Sequence, residues 1–255
     1  MSGPVALSLM TLAAIILGTL LGAFLRYRLP SRHLSDDSKD VVRLGSALLA
    51  TISALVISLL ISSAKSSYDT QVNRVRQLAS SVILLNQTLE RYGSETNEAR
   101  EYLRRAIDEL VERIWRQGTS KQKSTTPYVP TTVAELAFEK IAELSPRNDA
   151  QQFLKNRAMQ IFLEIAQSRF LQFVEGRIDP IPFPFLIVLL FWLTIIFASF
   201  SLFSRLNPIN VAALLVFAVS ASGAVFLILE LSQPFAGLMK ISSAPLLDAL
   251  APLKR

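Results

Sequence analysis

The sequence contains no cysteine and a single histidine, His33, among its 255 residues. The first absence excludes disulfides, thiolate metal sites and cysteine nucleophiles, and leaves the redox compartment open. The second excludes a His-rich metal centre, because one imidazole cannot complete it. His33 stands in a charged stretch, where a solvated loop residue is its ordinary role. The common catalytic signatures are missing too: no phosphate-binding Gly-rich loop with its lysine, no Gly-x-Gly-x-x-Gly, no Gly-x-Ser-x-Gly and no His-Glu-x-x-His. Nor is there an internal repeat, or the inverted-repeat pattern of a secondary transporter. An enzyme is therefore not expected, and neither a cofactor nor a bound metal is.

Charge is missing from four long stretches. Residues 4–25, 44–64, 181–204 and 209–229 carry none, although 18% of the chain is charged. At about 1.5 Å per residue, a helix of 21–24 residues spans the roughly 30 Å hydrocarbon core of a bilayer. Four such runs predict an all-α membrane protein with four transmembrane helices. The first run lacks a basic leader, is too long for a signal-peptide core, and is followed by Arg26-Tyr27-Arg28 where small residues would mark cleavage. It is expected to be a retained helix. The net charge of +6 comes from basic residues that are spread out and often flank the apolar runs. That is the usual distribution for a membrane protein, and no nucleic-acid partner is expected.

Between the runs lies a polar, helix-forming region. An eighteen-residue connection, Arg26 to Arg43, leads to the second helix, expected to start near Val42. Beyond Ala64 neither Gly nor Pro occurs until Gly93. Val75, Leu78, Val82, Leu85, Leu89 and Tyr92 follow 3-4 spacing and share one seam. The second helix is thus predicted to continue from about 42 to 92, on the order of 75 Å, into a helical soluble domain. A further helix is expected from about Asn97 to Arg116, with Leu103, Ala106, Ile107, Leu110, Val111 and Ile114 on one face and Gly118 as its stop. Residues 118–130 read as a loop. Thr132 with Glu135 forms a capping-box pattern for a short helix ending before Pro146. Asp149 starts a longer helix to about Glu175, with Leu154, Ala158, Ile161, Phe162 and Ile165 inward. Pro180, Pro182 and Pro184 mark the return to the membrane. Ser204-Arg205-Leu206-Asn207-Pro208 is a tight turn joining the third and fourth spans. The expected organisation is 1–64 (two spans and linker), 65–180 (soluble domain), 181–231 (transmembrane hairpin) and 232–255 (tail). The tail either packs on the soluble domain or lies at the membrane interface.

The second span is the most polar. Thr51, Ser58 and Ser62 fall on one strip, which Lys65 and Asp69 extend. Ser46, Ala50 and Ala54 form a small-residue strip elsewhere on it. Such residues permit close helix packing, with hydroxyls bonding across or back to the backbone. They can equally border a water-filled path, with Ile52 or Leu55 as an apolar constriction that gates by dewetting. Glu230 is the acidic residue nearest an intramembrane position: either a functional carboxylate or a helix end already at the headgroups, which Pro234 favours. Asp36, Asp37 and Asp40 lack EF-hand spacing and balance Lys39 and Arg43. Glu98, Glu101, Asp108, Glu109 and Glu112 alternate with Arg100, Arg104, Arg105 and Arg113 as a solvated, ion-paired helix face. Orientation stays open. Six basic residues on one arrangement face eight on the other, and long domains count little.

Several segments together resemble a known family. Tyr68-Asp69 follows the second span, and Leu103-Arg104 lies in the charged helix. Leu229-Glu230-Leu231, Pro234-Phe235-Ala236-Gly237, Ile241-Ser242 and Pro245-Leu246 follow near the end. Nearly the whole chain is similar to the bestrophin-like domain family of bacterial membrane proteins, itself distantly similar to bestrophin ion channels. The family commonly has Asp and Arg before the Pro-Phe, where this chain has Ser232 and Gln233. No role for a carboxylate at 232 can carry over, and Glu230 remains as the acid. The resemblance implies a homo-oligomeric, pentameric ion channel with the second helix lining the pore. It also implies a cytosolic helical domain and cytosolic termini in a bacterial inner or plasma membrane. The partners it implies are the lipid bilayer, further copies of the chain and small inorganic ions. The rival expectation is a non-conducting oligomeric membrane scaffold or signalling partner.

Overall fold

The computed structural model describes residues 3–29, 36–117, 132–175, 183–204 and 207–254. Among them there is no strand, and eight α-helices follow one another: α1 (Gly3–Arg28), α2 (Asp36–Tyr92), α3 (Asn97–Gln117), α4 (Thr132–Ala142), α5 (Asp149–Glu175), α6 (Phe183–Phe203), α7 (Pro208–Leu231) and α8 (Ala244–Leu250). Four of them, α1, α2, α6 and α7, are long and apolar enough to cross a membrane. The chain is an all-α, multi-pass membrane protein. In lipid, a segment that satisfies every backbone N–H and C=O within itself must be a helix, and each uncharged run is one. His33, the 118–130 loop, Pro180, Pro182 and Arg205 lie outside the described residues.

The long second helix is continuous. It covers 57 residues, on the order of 85 Å. It begins at Asp36, earlier than the expected start near Val42, so most of the supposed polar connection is helix. Carboxylates in a first turn oppose the positive end of the helix dipole, and nothing between Asp36 and Arg43 breaks a helix. The helix ends where Gly93 takes φ 133°, which side chains with a Cβ rarely adopt. Thr96 then donates its hydroxyl to the carbonyls of Leu89 (2.7 Å) and Gly93 (2.8 Å), satisfying groups the helix end leaves unpaired.

The chain forms two compact units. The first comprises residues 1–68 and 180–232. Its α1 buries Pro4, Ser8, Thr11, Ile15, Gly18 and Gly22, a 4-3-4-3-4 seam of mostly small residues. The glycines let α1 approach α6 closely. A Cβ on Gly22 would lie inside van der Waals contact of the Ala198 carbonyl oxygen, and 2.9 and 3.0 Å from the Ala198 C and Cα. One on Gly18 would lie 2.7 Å from Thr194 Cγ2 and 2.8 Å from its carbonyl oxygen. This is small-xxx-small packing, in which backbone contact replaces side-chain interdigitation. Ser222 of α7 donates to the Ser8 carbonyl of α1 at 2.7 Å. Ile15, Leu60, Ala64, Leu193, Phe197 and Ile228 meet in the core between these helices.

The second unit comprises residues 69–179 and 233–255. All six residues of the 75–92 seam are buried, as are Leu103, Ala106, Ile107 and Leu110 of α3. Ala137 and Ile141 of α4 and Ala158, Ile161 and Ile165 of α5 complete this core. Lys155 of α5 donates to the carbonyls of Ala142 (2.6 Å) and Leu144 (2.8 Å), a cationic cap on the end of α4. The tail belongs here. Trp115 Nε1 donates to the Ile241 carbonyl at 2.8 Å, and its ring meets Phe235 edge-on at 5.6 Å. Arg100 Nε donates to Asn86 Oδ1 at 2.8 Å, and the same guanidinium reaches the Pro252 carbonyl at 3.4 Å. Leu246 and Leu250 of α8 are fully buried.

Candidate functional site

The first unit has a distinct inner side of α2. Ser46, Ser53, Leu60 and Ala64 are buried there, and Val56, Ile57 and Ile61 are partly so. Their spacing places them on one side of the helix, opposite the strip picked out from the sequence. Thr51, Ile52, Leu55, Ser58 and Ser62 are all exposed. Ile52 is 39% and Leu55 67% accessible. The strip therefore faces away from α1, α6 and α7 of its own chain. Of the small-residue strip, Ser46 is buried, Ala50 half-buried and Ala54 exposed, so only its first part serves internal packing.

The hydroxyls on this outer face differ in their bonding. Thr51 Oγ1 donates back to the Ala47 carbonyl at 3.0 Å. So do Thr11, Thr19, Thr194 and Ser220 to carbonyls one turn earlier, the standard way to satisfy a hydroxyl in lipid. The Ser58 and Ser62 side chains make no hydrogen bond among the described residues. Two hydroxyls one turn apart thus keep donors and acceptors open on an exposed surface. Above them on the same face stand the aliphatic side chains of Ile52 and Leu55. The chemistry available is coordination of water or a hydrated ion beside an apolar collar, with no titrating group between residues 44 and 64.

Glu230 occupies a different place. It lies one residue before the end of α7 and is 1% accessible. From Pro208 to Glu230 the helix rises about 33 Å, a full hydrocarbon thickness, so the carboxylate stands at the far boundary of the span. Helix α7 ends at Leu231, and Ser232 closes it by donating its hydroxyl to the Ile228 carbonyl at 2.7 Å. Ile228 and Leu231, its neighbours along α7, are buried as well. It does not join the Thr51–Ser62 strip, which is exposed where Glu230 is buried.

Outside the spans, charge is largely paired. Glu101 receives Arg104 at 2.9 Å and Arg105 at 2.8 Å, and Arg104 also reaches Asp108 at 3.1 Å. Hydrogen bonds from these two guanidiniums hold the Glu101 carboxyl down at about 2, against an ordinary 4.5. Arg113 pairs with Glu109, Lys140 with Glu98 and Glu143, and Arg147 with Glu95. Among the described residues no three acidic or imidazole side chains converge as a metal site would require.

The helical fold has known counterparts. A model of the bestrophin-like domain matches residues 13–246. The chain belongs to the bestrophin-like family. Two crystal structures of point mutants of a bacterial bestrophin homologue from Klebsiella pneumoniae share its fold. They superpose with TM-scores of 0.53 and 0.55 at 16% sequence identity, covering 94% of this chain and 96% and 97% of theirs. No curated protein sequence matches. What the sequence did not single out was the Gly18-x-x-x-Gly22 spacing. That signal is explicit in the first span and marks a backbone-close approach of α1 to α6.

Proposed function

We propose that this bestrophin-like protein is a homo-oligomeric, pentameric ion channel whose path is lined by the outer face of α2. The observation that carries this reading is the exposure of Thr51, Ile52, Leu55, Ser58 and Ser62 together, with the Ser58 and Ser62 hydroxyls open. Open hydroxyls facing hydrocarbon are unfavourable, whereas the same groups facing a hydrated axis are satisfied by water. Several copies with this face turned inward would place rings of hydroxyls next to an apolar ring at Leu55 or Ile52, the arrangement of a dewetting gate. Family membership supports the channel class. On this reading the soluble unit is cytoplasmic and the transported species are small inorganic ions. Glu230, at the boundary of α7, is assigned no part in the path.

One observation favours the rival, a non-conducting membrane scaffold: Thr51 is satisfied by its own helix and needs no water. Planar-bilayer recording of purified protein decides between the two. Unitary currents above protein-free controls, altered by Leu55→Ala, support the channel. Silence across varied ions and pH refutes it and leaves the scaffold.

A further inference from the structure

The outer face of α2 does not stop at Ser62. At about 100° per residue, Asp69, Asn73, Arg76, Ser80, Gln87 and Arg91 fall within about 40° of the line through Thr51 and Ser62. Asp69 is half-buried, and the other five are exposed. The opposite side of the same stretch is the fully buried 75–92 seam. The strip thus changes along one unbroken helix from aliphatic, through hydroxyl, to charged and amide side chains.

Lys65, which extends the strip just past Ser62, lies over the Tyr68 ring at 5.8 Å, whereas Arg76 stands apart. Each cation of Arg104, Arg105, Arg113, Lys140 and Arg147 is matched by a carboxylate. Arg76 makes no ion pair or hydrogen bond among the described residues. Its neighbours one turn away, Val72, Asn73, Ala79 and Ser80, offer no acid. Arg91 sits in the last turn of α2, where a cation complements the helix dipole. Arg76 is mid-helix and has no such explanation. Resting on the channel reading above, we propose that Arg76 is the charge-selecting residue of the path. One guanidinium per subunit forms a positive collar about 18 Å along the helix beyond Ala64. That collar raises the local concentration of small anions over cations. Asp69, the carboxylate on the strip, acts in the opposite sense.

The test is the reversal potential of purified full-length protein in planar bilayers under a tenfold KCl gradient. Arg76→Gln is expected to lower the anion-to-cation permeability ratio about twofold, and Arg76→Glu to lower it further. Arg76→Lys, which keeps the charge, should retain the wild-type ratio. Arg157→Gln, on α5 and not on the strip, serves as the control and should leave the ratio unchanged. The shifts should shrink as the mean salt rises towards 1 M, where screening is within about 3 Å. Wild-type currents with an unmoved reversal potential in Arg76→Gln overturn the assignment and leave the channel reading intact. So does a shift in Arg76→Lys equal to that in Arg76→Gln. A wild-type protein that carries no current overturns both.

Discussion

Replacing Gly22 by alanine tests whether the α1–α6 contact is as close as described. A Cβ there would meet the Ala198 backbone, not the movable end of a side chain. The helices must therefore separate, or one must shift along the other. Insertion of one methyl into a filled contact costs about 1–3 kcal/mol. Against this, alanine gains about 1 kcal/mol over glycine in a helix interior. Gly45 supplies the reference, because a Cβ on it would meet nothing within 4 Å. Both variants gain the same intrinsic propensity, so their difference isolates the steric cost. Gly22→Ala should thus be less stable than Gly45→Ala by about 1–3 kcal/mol, or roughly 2–12 °C in Tm for a chain of this size. Gly18→Ala should fall between them, since part of its clash is with the Thr194 methyl. Thermal unfolding in one detergent, followed by fluorescence of Trp192 on α6, reads the series. Equal melting of Gly22→Ala and Gly45→Ala would show that the helices are not in backbone contact.

Two further expectations concern the second unit. Trp115→Phe removes the indole donor to Ile241 while keeping an aromatic ring against Phe235. It should cost about 1 kcal/mol and raise amide exchange in residues 241–250 before it affects α4 or α5. The second concerns acid. Because the Glu101 carboxyl titrates at about 2 in the fold, its pairing contributes above the ordinary carboxylate range and is lost as pH falls through about 2. The carboxylate is open to solvent on one side, its side chain 42% accessible, so the stabilisation is small and salt-sensitive. Carboxyl NMR of the full chain should place Glu101 well below the ordinary carboxylate range, and Glu101→Gln should leave neutral-pH stability nearly unchanged.

Much of the architecture was legible because lipid and helix geometry leave few options. Uncharged runs of twenty residues admit one secondary structure, and the gap of Gly and Pro between Ala64 and Gly93 leaves α2 nothing to end on. The 75–92 seam was equally plain, since 3-4 spacing on a polar helix names its buried side. The start of α2 was misplaced because Asp36 and Asp37 read as linker charge, whereas at a helix N-terminus they are favoured. The docking of the tail was left open in the sequence. Its partners, Arg100 and Trp115, sit over a hundred residues away and carry no local mark. For the candidate site, periodicity grouped Thr51, Ser58 and Ser62. Only the packing of Ser53, Leu60 and Ala64 shows which way that group turns.

The second unit is discontinuous in sequence, and this sets an order of assembly. Its core lacks Leu246 and Leu250 until α8 has been synthesised. By then the ribosome has already made α6 and α7, which precede α8 in the chain. At about 5–20 residues per second, some 70 residues separate Asp179 from Leu250 by several seconds of translation. During that interval α3 carries an uncovered apolar strip beside Trp115, open to water or to a chaperone. The unit completes its core only after the α6–α7 pair has emerged, so a failure of that pair to insert would leave the second unit exposed and recognisable to proteolysis.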